Sequence, residues 1–287
     1  MPSPSPRPRR ASLFVTAVLV ASTGACRPAA APATPAGRSV SPTLASVAWV
    51  QTAAEFEALS MQAFAQASAA LEAALADQAW VAAPEETSAP AGLPPAVILD
   101  VDETVLDNSP YQAWAVREGR RFEPVTWDAW VAEGAAEAVP GALEFTRRAA
   151  SRGVTVFYVS NRDVSGEAAT RKNLERLGFP MAEGVDTVLL KNERQEWGSA
   201  KGSRRAEVAT RYRVVMLLGD NLGDFTDEYK GDVAARAAVI AGSADRWGSR
   251  WIMIPNPMYG SWIDALGQPD DPAAAMSAAL RAWGGPG

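Results

Sequence analysis

Five short apolar runs, separated by longer polar segments, constrain the fold of this chain more than any other feature of its sequence. Each run is rich in Val, Ile or Leu, which is typical of a strand buried on both faces. The runs cover residues 96–99, 154–159, 187–190, 214–218 and 251–254. Because helical patterns lie between several of them, the sequence predicts an α/β fold, a Rossmann-like parallel sheet with helices on both faces.

Helical patterns and one insertion complete the predicted domain, which is expected to span 44–287. Apolar residues recur at helical spacing over 44–76, and helices are also predicted over 166–177 and 199–212. The segment 107–139 interrupts the alternation and is rich in aromatic residues. We predict that this segment forms a small, largely helical cap over the site.

The start of the chain has the features of an export signal. Arginines among the first ten residues precede an apolar stretch over 11–25, which ends directly before Cys26. This order resembles a bacterial lipobox, in which the cysteine becomes the lipidated first residue of the mature protein. We interpret 1–26 as a signal peptide and 27–43 as a flexible tether, which predicts an outer-membrane lipoprotein on the periplasmic or cell-surface side. An ordinary secretion signal cleaved near Ala25 is the alternative.

The residue types that are missing exclude several classes of chemistry. The 287 residues include no histidine and a single cysteine, which excludes a His base, a Ser-His-Asp triad, a His-ligated zinc or haem, and an intrachain disulfide. The net charge of −6, with no basic stripe, argues against binding of a nucleic acid polymer. Carboxylates, lysines, hydroxyls and an oxygen-held hard metal ion remain, and these are the tools of phosphoryl transfer.

Two acids follow the first predicted strand, at the edge of the sheet where ligands bind in such folds. Asp100 has the chemistry of a nucleophile that attacks phosphorus. Asp102 has the chemistry of an acid that protonates the leaving group and then activates water. A turn of solvated acids is the alternative interpretation of this pair.

Polar and cationic side chains near the next strands could hold a phosphoryl group. Ser160 and Asn161 follow the second strand and offer hydroxyl and amide donors. Lys201, at the predicted start of the helix before the fourth strand, would neutralise the nucleophile and the phosphoryl oxygens. Lys191, directly after the third strand, is the competing candidate, and a simple turn or a surface lysine is the structural alternative.

Two acids four residues apart after the fourth strand suit a Mg²⁺ ion. Asp220 would bind the ion directly, and Asp224 would bind it or orient its waters. Gly219 allows the backbone to approach the site closely. An acidic turn is again the alternative.

The order and content of these four motifs resemble the haloacid dehalogenase (HAD) superfamily of phosphatases. Residues 100–111 and 219–225 are similar to the class C acid phosphatases of subfamily IIIB, bacterial lipoproteins that often act as 5′-nucleotidases. Residues 47–59 and 255–262 resemble the same family. The likeness therefore spans nearly all of the predicted mature chain.

This resemblance implies an acid phosphatase that hydrolyses phosphate monoesters, nucleoside 5′-monophosphates among them, through an aspartyl-phosphate at Asp100. Mg²⁺ would be held by Asp100, the backbone carbonyl of Asp102 and Asp220. The phosphate would be held by Ser160 and Lys201.

The family also places aromatic rings around the organic part of the substrate, and Trp127, Tyr259 and Tyr111 are the candidates for that role here. Packing inside the cap is the alternative for these rings. Two interpretations of the whole chain stay open beside the nucleotidase. One is a phosphatase or phosphotransferase for other phosphomonoesters, and the other is a non-catalytic binding or storage protein.

Overall fold

The structure is a computed structural model that describes residues 41–86, 92–267 and 271–283. The predicted signal peptide over 1–26, with Cys26, and the predicted tether up to residue 40 lie outside these residues. Among the residues described, none of the helices combines the length and the apolar character needed to cross a membrane.

The elements of the described residues alternate as the sequence predicts. The strands are β1 (Pro95–Leu99), β2 (Leu106–Asp107), β3 (Glu137–Ala138), β4 (Thr155–Asp163), β5 (Val188–Lys191), β6 (Arg213–Gly219) and β7 (Trp251–Met253). The helices are α1 (Leu44–Thr52), α2 (Ala54–Ala76), α3 (Ser109–Glu118), α4 (Pro124–Glu133), α5 (Ala142–Ser151), α6 (Glu167–Leu177), α7 (Gly202–Ala209), α8 (Val233–Gly242), α9 (Ser261–Asp264) and α10 (Pro272–Ala279).

A parallel sheet in the order β5-β4-β1-β6-β7 forms the centre of the fold. The predicted α/β class and all five predicted strands are therefore confirmed. In β1, Leu99 lies beside Tyr158 of β4 on one side and beside Leu218 of β6 on the other. The chain builds the sheet in one direction from β1 to β5 and in the other through β6 and β7, so its topological switch point lies at β1. Open α/β sheets bind ligands at that point, beyond the carboxyl ends of the strands.

The two faces of the sheet are buried under different helices. Val97 and Leu99 lie in one apolar cluster with Leu71 of α2 and Phe145 of α5. Ile98, between them, lies in a second cluster that includes side chains of α7. Because successive strand residues face opposite sides, burial on both faces requires the continuous apolar run that predicted β1.

The helix predicted over 44–76 is wrong in one respect, because the structure divides it at Ala53. That residue is extended, with φ −86° and ψ 124°, and separates α1 from α2. Val47 and Val50 of α1 are buried there with Met258, and Phe56 of α2 joins the same cluster. The two helices thus share a contact with a residue about two hundred positions away in the sequence.

The segment between β2 and β3 folds as two short helices. The antiparallel pairs Leu106–Ala138 and Asp107–Glu137 bring its ends together. Gly119 and Gly134 end α3 and α4 in the left-handed conformation, with φ 63° and 60°, a common helix stop. Since α4 contacts α6 and the short turn before it, this cap lies against the chain that leaves β4.

Candidate active site

A buried ion pair lies at the carboxyl end of β1. Asp100 is 8% exposed, and its Oδ1 accepts a hydrogen bond from Lys201 Nζ. The same ammonium lies 2.7 Å from Asp224 Oδ1. Lys201 is the N-cap residue of α7, which places its side chain at this edge of the sheet. Burial by itself lowers the pKa of Lys201, but the carboxylates of Asp100 and Asp224 outweigh it and hold that pKa above its ordinary value.

Three carboxylates converge around this ammonium. Oxygens of Asp100, Asp220 and Asp224 all lie within 4.8 Å of one another. Asp220 is oriented by two donors, since Thr104 Oγ1 lies 3.2 Å from its Oδ1 and Asn256 Nδ2 lies 2.8 Å from its Oδ2. The sequence places Asp220 and Asp224 four residues apart, and the turn after β6 makes both of them face Asp100.

The excess of negative charge in this cluster favours the binding of a cation. Burial raises the pKa of Asp100 to about 7, with Lys201 opposing the rise and Asp224 adding to it. Burial also holds the pKa of Asp220 well above its ordinary value, together with the charges of Asp224 and Asp100. With all three carboxylates ionised, the cluster would carry two negative charges beyond the one ammonium, and a bound divalent ion would neutralise them and favour the ionised forms. The donor set consists of oxygens only, and that is what a hard cation prefers.

Asp102 lies beside this cluster, and its two oxygens have different partners. Oδ1 accepts from Arg162 Nε and from Asn108 Nδ2, both at 2.9 Å, and Arg162 Nη2 also lies 2.9 Å from it. Oδ2 accepts from Ser160 Oγ at 3.2 Å. Arg162 and Asn108 were absent from the predicted site residues. The local signal for Arg162 is its place directly after Ser160 and Asn161, near the end of β4.

A second buried acid shapes the turn that carries Asp102. Glu103 is 4% exposed and has a φ of 59°, a left-handed conformation that is uncommon outside glycine. Its Oε1 accepts the backbone N–H of Asn108 at 2.9 Å, and its own N–H donates to the Leu106 carbonyl at 2.8 Å. Burial holds the pKa of Glu103 well above its ordinary value, with the charges of Asp102 and Asp220 adding to the rise.

The sequence places Ser160 and Asn161 after the second strand, but β4 extends to Asp163, so both lie within it, and their side chains point in different directions. Ser160 is fully buried next to Asp102. Asn161 instead donates to the Ser199 carbonyl at 2.9 Å and accepts from Arg204 Nη2 at 2.6 Å. Asn161 therefore braces the loop that leads to Lys201.

Two consecutive buried arginines hold the start of α7, and sequence reasoning missed both. Arg204 donates to the backbone carbonyls of Ser160 and Gly198. Arg205 donates to both carboxylate oxygens of Glu85 and to the Asp224 carbonyl. These contacts join α7, the helix that Lys201 caps, to two other parts of the fold. One is β4, and the other is the turn after β6. Lys191, the competing candidate, ends β5 and pairs in register with Asp163.

The three candidate aromatic residues occupy different surroundings. Trp127 is half-buried, and its ring lies 5.7 Å from the guanidinium carbon of Arg162. Tyr111 is buried inside the cap, where its hydroxyl lies 3.0 Å from Thr126 Oγ1 and its ring meets the edge of Trp127. Tyr259 is half-buried against the cluster formed by α1 and α2. Trp127 thus lies next to the group that binds Asp102, whereas Tyr111 packs behind it.

Gly219 is needed because Asp224 folds back onto it. A Cβ at this position would lie 2.3 Å from Asp224 Oδ2 and 2.4 Å from Asp224 Cβ. We expect Gly219→Ala to displace Asp224 and to lower the free energy of unfolding by about 1–3 kcal/mol, as overpacking of a filled site does. Urea unfolding would measure the loss. Gly198→Ala is the control, since nothing lies within 4 Å of the added Cβ, and equal losses in both variants would contradict the steric argument.

Comparison with known proteins assigns this arrangement to a family. The sequence pattern that defines subfamily IIIB of the HAD superfamily (acid phosphatase) matches residues 30–262. Among solved structures, the chain is similar to the class C acid phosphatase from Bacillus anthracis, with a TM-score of 0.73 and 35% identity over 84% of this chain and 97% of that one. The structure of that enzyme with tungstate bound gives a TM-score of 0.72 and 34% identity over the same shares.

More distant similarity connects the chain to plant proteins. It is 29% identical over 168 residues to the stem 31 kDa glycoprotein of Glycine max and 25% identical over 175 residues to acid phosphatase 1 of Solanum lycopersicum. Each match takes in 56% of this chain, and 58% and 57% of the two relatives. The chain therefore spans little more than half the length of these curated relatives.

Proposed function

Since the chain belongs to the acid phosphatases of HAD subfamily IIIB, we propose that it hydrolyses phosphate monoesters through an aspartyl-phosphate at Asp100, with Mg²⁺ as its cofactor. The observation that carries the proposal is the convergence of Asp100, Asp220, Asp224 and Lys201 at the switch point of the sheet. The proposed nucleophile, a cationic side chain and carboxylates that could bind a metal ion lie close together there, and enzymes of phosphoryl transfer commonly use such groups.

The proposed reaction has two steps. A carboxylate oxygen of Asp100 bonds to phosphorus as the ester P–O bond breaks, and Asp102 gives its proton to the departing alkoxide. Water then attacks the phosphorus of the aspartyl-phosphate and gives a proton to Asp102, and the P–O bond to Asp100 breaks to release phosphate. Lys201 Nζ, beside Asp100, neutralises the phosphoryl oxygens in both steps. Mg²⁺ held by Asp100, Asp220, Asp224 and the Asp102 carbonyl would supply further charge neutralisation.

A related protein binds an oxyanion, which supports a phosphate-binding function for this chain. The class C acid phosphatase from Bacillus anthracis has a structure with tungstate bound. Tungstate and phosphate are both tetrahedral oxyanions, so this ligand is compatible with phosphate binding in that protein. The 35% identity over most of both chains makes the same chemistry a reasonable proposal here.

The proposed cofactor leads to an expected response to metal removal. Phosphate release should be lost in EDTA and restored by Mg²⁺, because the carboxylate oxygens favour a hard ion and no histidine is present to favour zinc. Asp220→Asn should need far more Mg²⁺ for the same rate. Asp163→Asn is the control, because that acid bonds to Asn192 outside the cluster. Full activity in exhaustively metal-free buffer would overturn the proposal.

The proposed substrates are nucleoside 5′-monophosphates, a preference that the family resemblance and the cap aromatics support. Comparison of kcat/KM for nucleoside 5′-monophosphates and sugar phosphates tests it. Higher values for sugar phosphates would favour the alternative phosphatase, and phosphate release from none of them would favour a binding or storage protein.

The proposed location is outside the cytoplasm, with the protein anchored to the outer membrane through lipid on Cys26. The basic and apolar segment before Cys26 supports it. The wild-type protein should incorporate labelled palmitate and partition into detergent, whereas Cys26→Ser should not. An unlabelled mature chain that begins at another residue would indicate an ordinary secretion signal instead.

A further inference from the structure

Arg162 is a buried charged side chain to which the proposed reaction gives no part. It is 3% exposed, and every edge of its guanidinium group is engaged. Nε donates to Asp102 Oδ1 at 2.9 Å, Nη1 to Thr170 Oγ1 at 3.1 Å, and Nη2 to Asn108 Oδ1 at 3.3 Å. A planar guanidinium held on several sides cannot rotate freely, so its position is fixed by the fold.

The fixed guanidinium makes the two oxygens of Asp102 inequivalent. Oδ1 is surrounded by N–H groups of Arg162 and Asn108, which can only donate hydrogen bonds in this geometry. Oδ2 meets the hydroxyl of Ser160, a group that can donate or accept. Oδ2 is therefore the oxygen that can transfer a proton to the leaving group, because Oδ1 already accepts hydrogen bonds from several donors.

The cap holds this arrangement through two tryptophans of α4. Trp127 lies with its ring 5.7 Å from the guanidinium carbon of Arg162, within reach of a cation–π contact. Trp130 Nε1 donates to Asn108 Oδ1 at 2.8 Å. The two residues are three apart and so share one face of the helix. That face of α4 thus contacts both side chains that bind Asp102 Oδ1.

We propose that Arg162 is a positioning residue, held in place by the α4 tryptophans, that orients Asp102 so that Oδ2 faces the leaving group. This inference rests on the proposed role of Asp102 as the proton donor. It also gives the cap a function besides contact with substrate, because a displaced α4 would loosen both partners of Asp102 Oδ1.

The first test compares two leaving groups. Arg162→Lys keeps the charge and loses the planar fork, so kcat/KM for an alkyl phosphate should fall roughly 10–10²-fold, the usual effect of a small misplacement of a catalytic group. The loss for p-nitrophenyl phosphate should be at most a few-fold, because its leaving group needs little protonation. The change should appear in kcat more than in KM. Arg213→Lys is the matched control, a buried arginine that donates to the carbonyls of Ala74, Asp77 and Trp80 and should leave the substrate ratio unchanged.

A double substitution asks whether Arg162 acts through Asp102. In the Asp102→Asn background, Arg162→Lys should lower activity by less than about twofold. If Arg162→Lys slows both substrates equally, or keeps its full effect in that background, the inference is overturned. If Asp102→Asn itself does not distinguish the two leaving groups, the proposed role of Asp102 fails and this inference fails with it. Failure of the Arg162 inference and failure of the proposed role of Asp102 are distinguishable, because the single variant Asp102→Asn tests the role of Asp102 without any change at Arg162.

A milder substitution keeps the test usable if Arg162→Lys does not fold. Trp130→Phe keeps an aromatic ring but removes the N–H that holds Asn108 Oδ1, together with the pyrrole part of the indole. It should lower kcat/KM for the alkyl phosphate several-fold more than for p-nitrophenyl phosphate. Trp114→Phe makes the same change elsewhere in the cap and should leave that ratio unchanged. An unchanged ratio in Trp130→Phe would contradict the link between cap and Asp102.

Discussion

If Asp100 is the nucleophile, as proposed, Asp100→Asn is expected to abolish turnover, with a loss on the order of 10⁶-fold, comparable to removal of a nucleophile in enzymes that form covalent intermediates. The amide has nearly the size of the carboxylate but no negative oxygen to attack phosphorus. Lys201 keeps its second partner, Asp224, at 2.7 Å, so the helix that carries it should remain in place. Steady-state phosphate release measures the loss, and rapid acid quenching with labelled substrate should trap no phosphoprotein.

A control separates the loss of the nucleophile from a general disturbance. Asp77→Asn changes an exposed acid after α2 whose carboxylate caps the Ala79 N–H, and it should leave kcat within about twofold. A thermal unfolding transition close to that of the wild-type protein would show that Asp100→Asn is folded. Near-normal turnover in Asp100→Asn would mean that the nucleophile is another residue.

Asp102→Asn should slow both chemical steps by roughly 10²–10⁴-fold, the usual range for loss of a general acid and base. The proposed nucleophile, Asp100, remains, so the first step should survive best with p-nitrophenyl phosphate, whose leaving group departs without a proton. The second step still lacks its base. Phosphoprotein should therefore accumulate with that substrate, and acid quenching would detect it.

The structure offers a matched comparison for this variant. Asp107→Asn removes the carboxylate that accepts from Ser109 at the start of α3, in the same segment of the chain but outside the cluster. It should not accumulate phosphoprotein. Equal losses of Asp102→Asn on good and poor leaving groups, with no trapped intermediate, would reduce Asp102 to a structural or metal-binding role.

The sequence was sufficient to predict the α/β fold because every central strand is buried on two faces. Such strands need continuous apolar runs, and β1 and β6 have them. The convergence of Asp100, Asp220 and Asp224 also follows from the sequence, since parallel strands end at one edge of the sheet. Lys201 could be placed there because a helix start precedes β6.

The partners that orient these groups could not be predicted, because they depend on contacts between distant segments. Arg162 reaches Asp102 across 60 positions, and Arg205 reaches Glu85 across 120. Periodicity reports burial within one element and says nothing about such pairs. Asn161 shows the same limit. Its position in the sequence suggests a phosphate ligand, but in the fold its amide oxygen accepts a hydrogen bond from Arg204. The division of the first helix at Ala53 was likewise not predicted, and α1 and α2 pack there against the distant Met258.

The central position of β1 has a consequence for the order in which the protein acquires function as it folds. Asp100 meets Lys201 across 101 positions, and Thr104 meets Asp220 across 116. Contacts of such long sequence separation require closure of large loops and form slowly. Local helices such as α2 can form long before β6 pairs with β1. A refolding chain should therefore regain most of its helical content while it is still inactive. Recovery of activity would then follow the pairing of β6 with β1 rather than the collapse of the core.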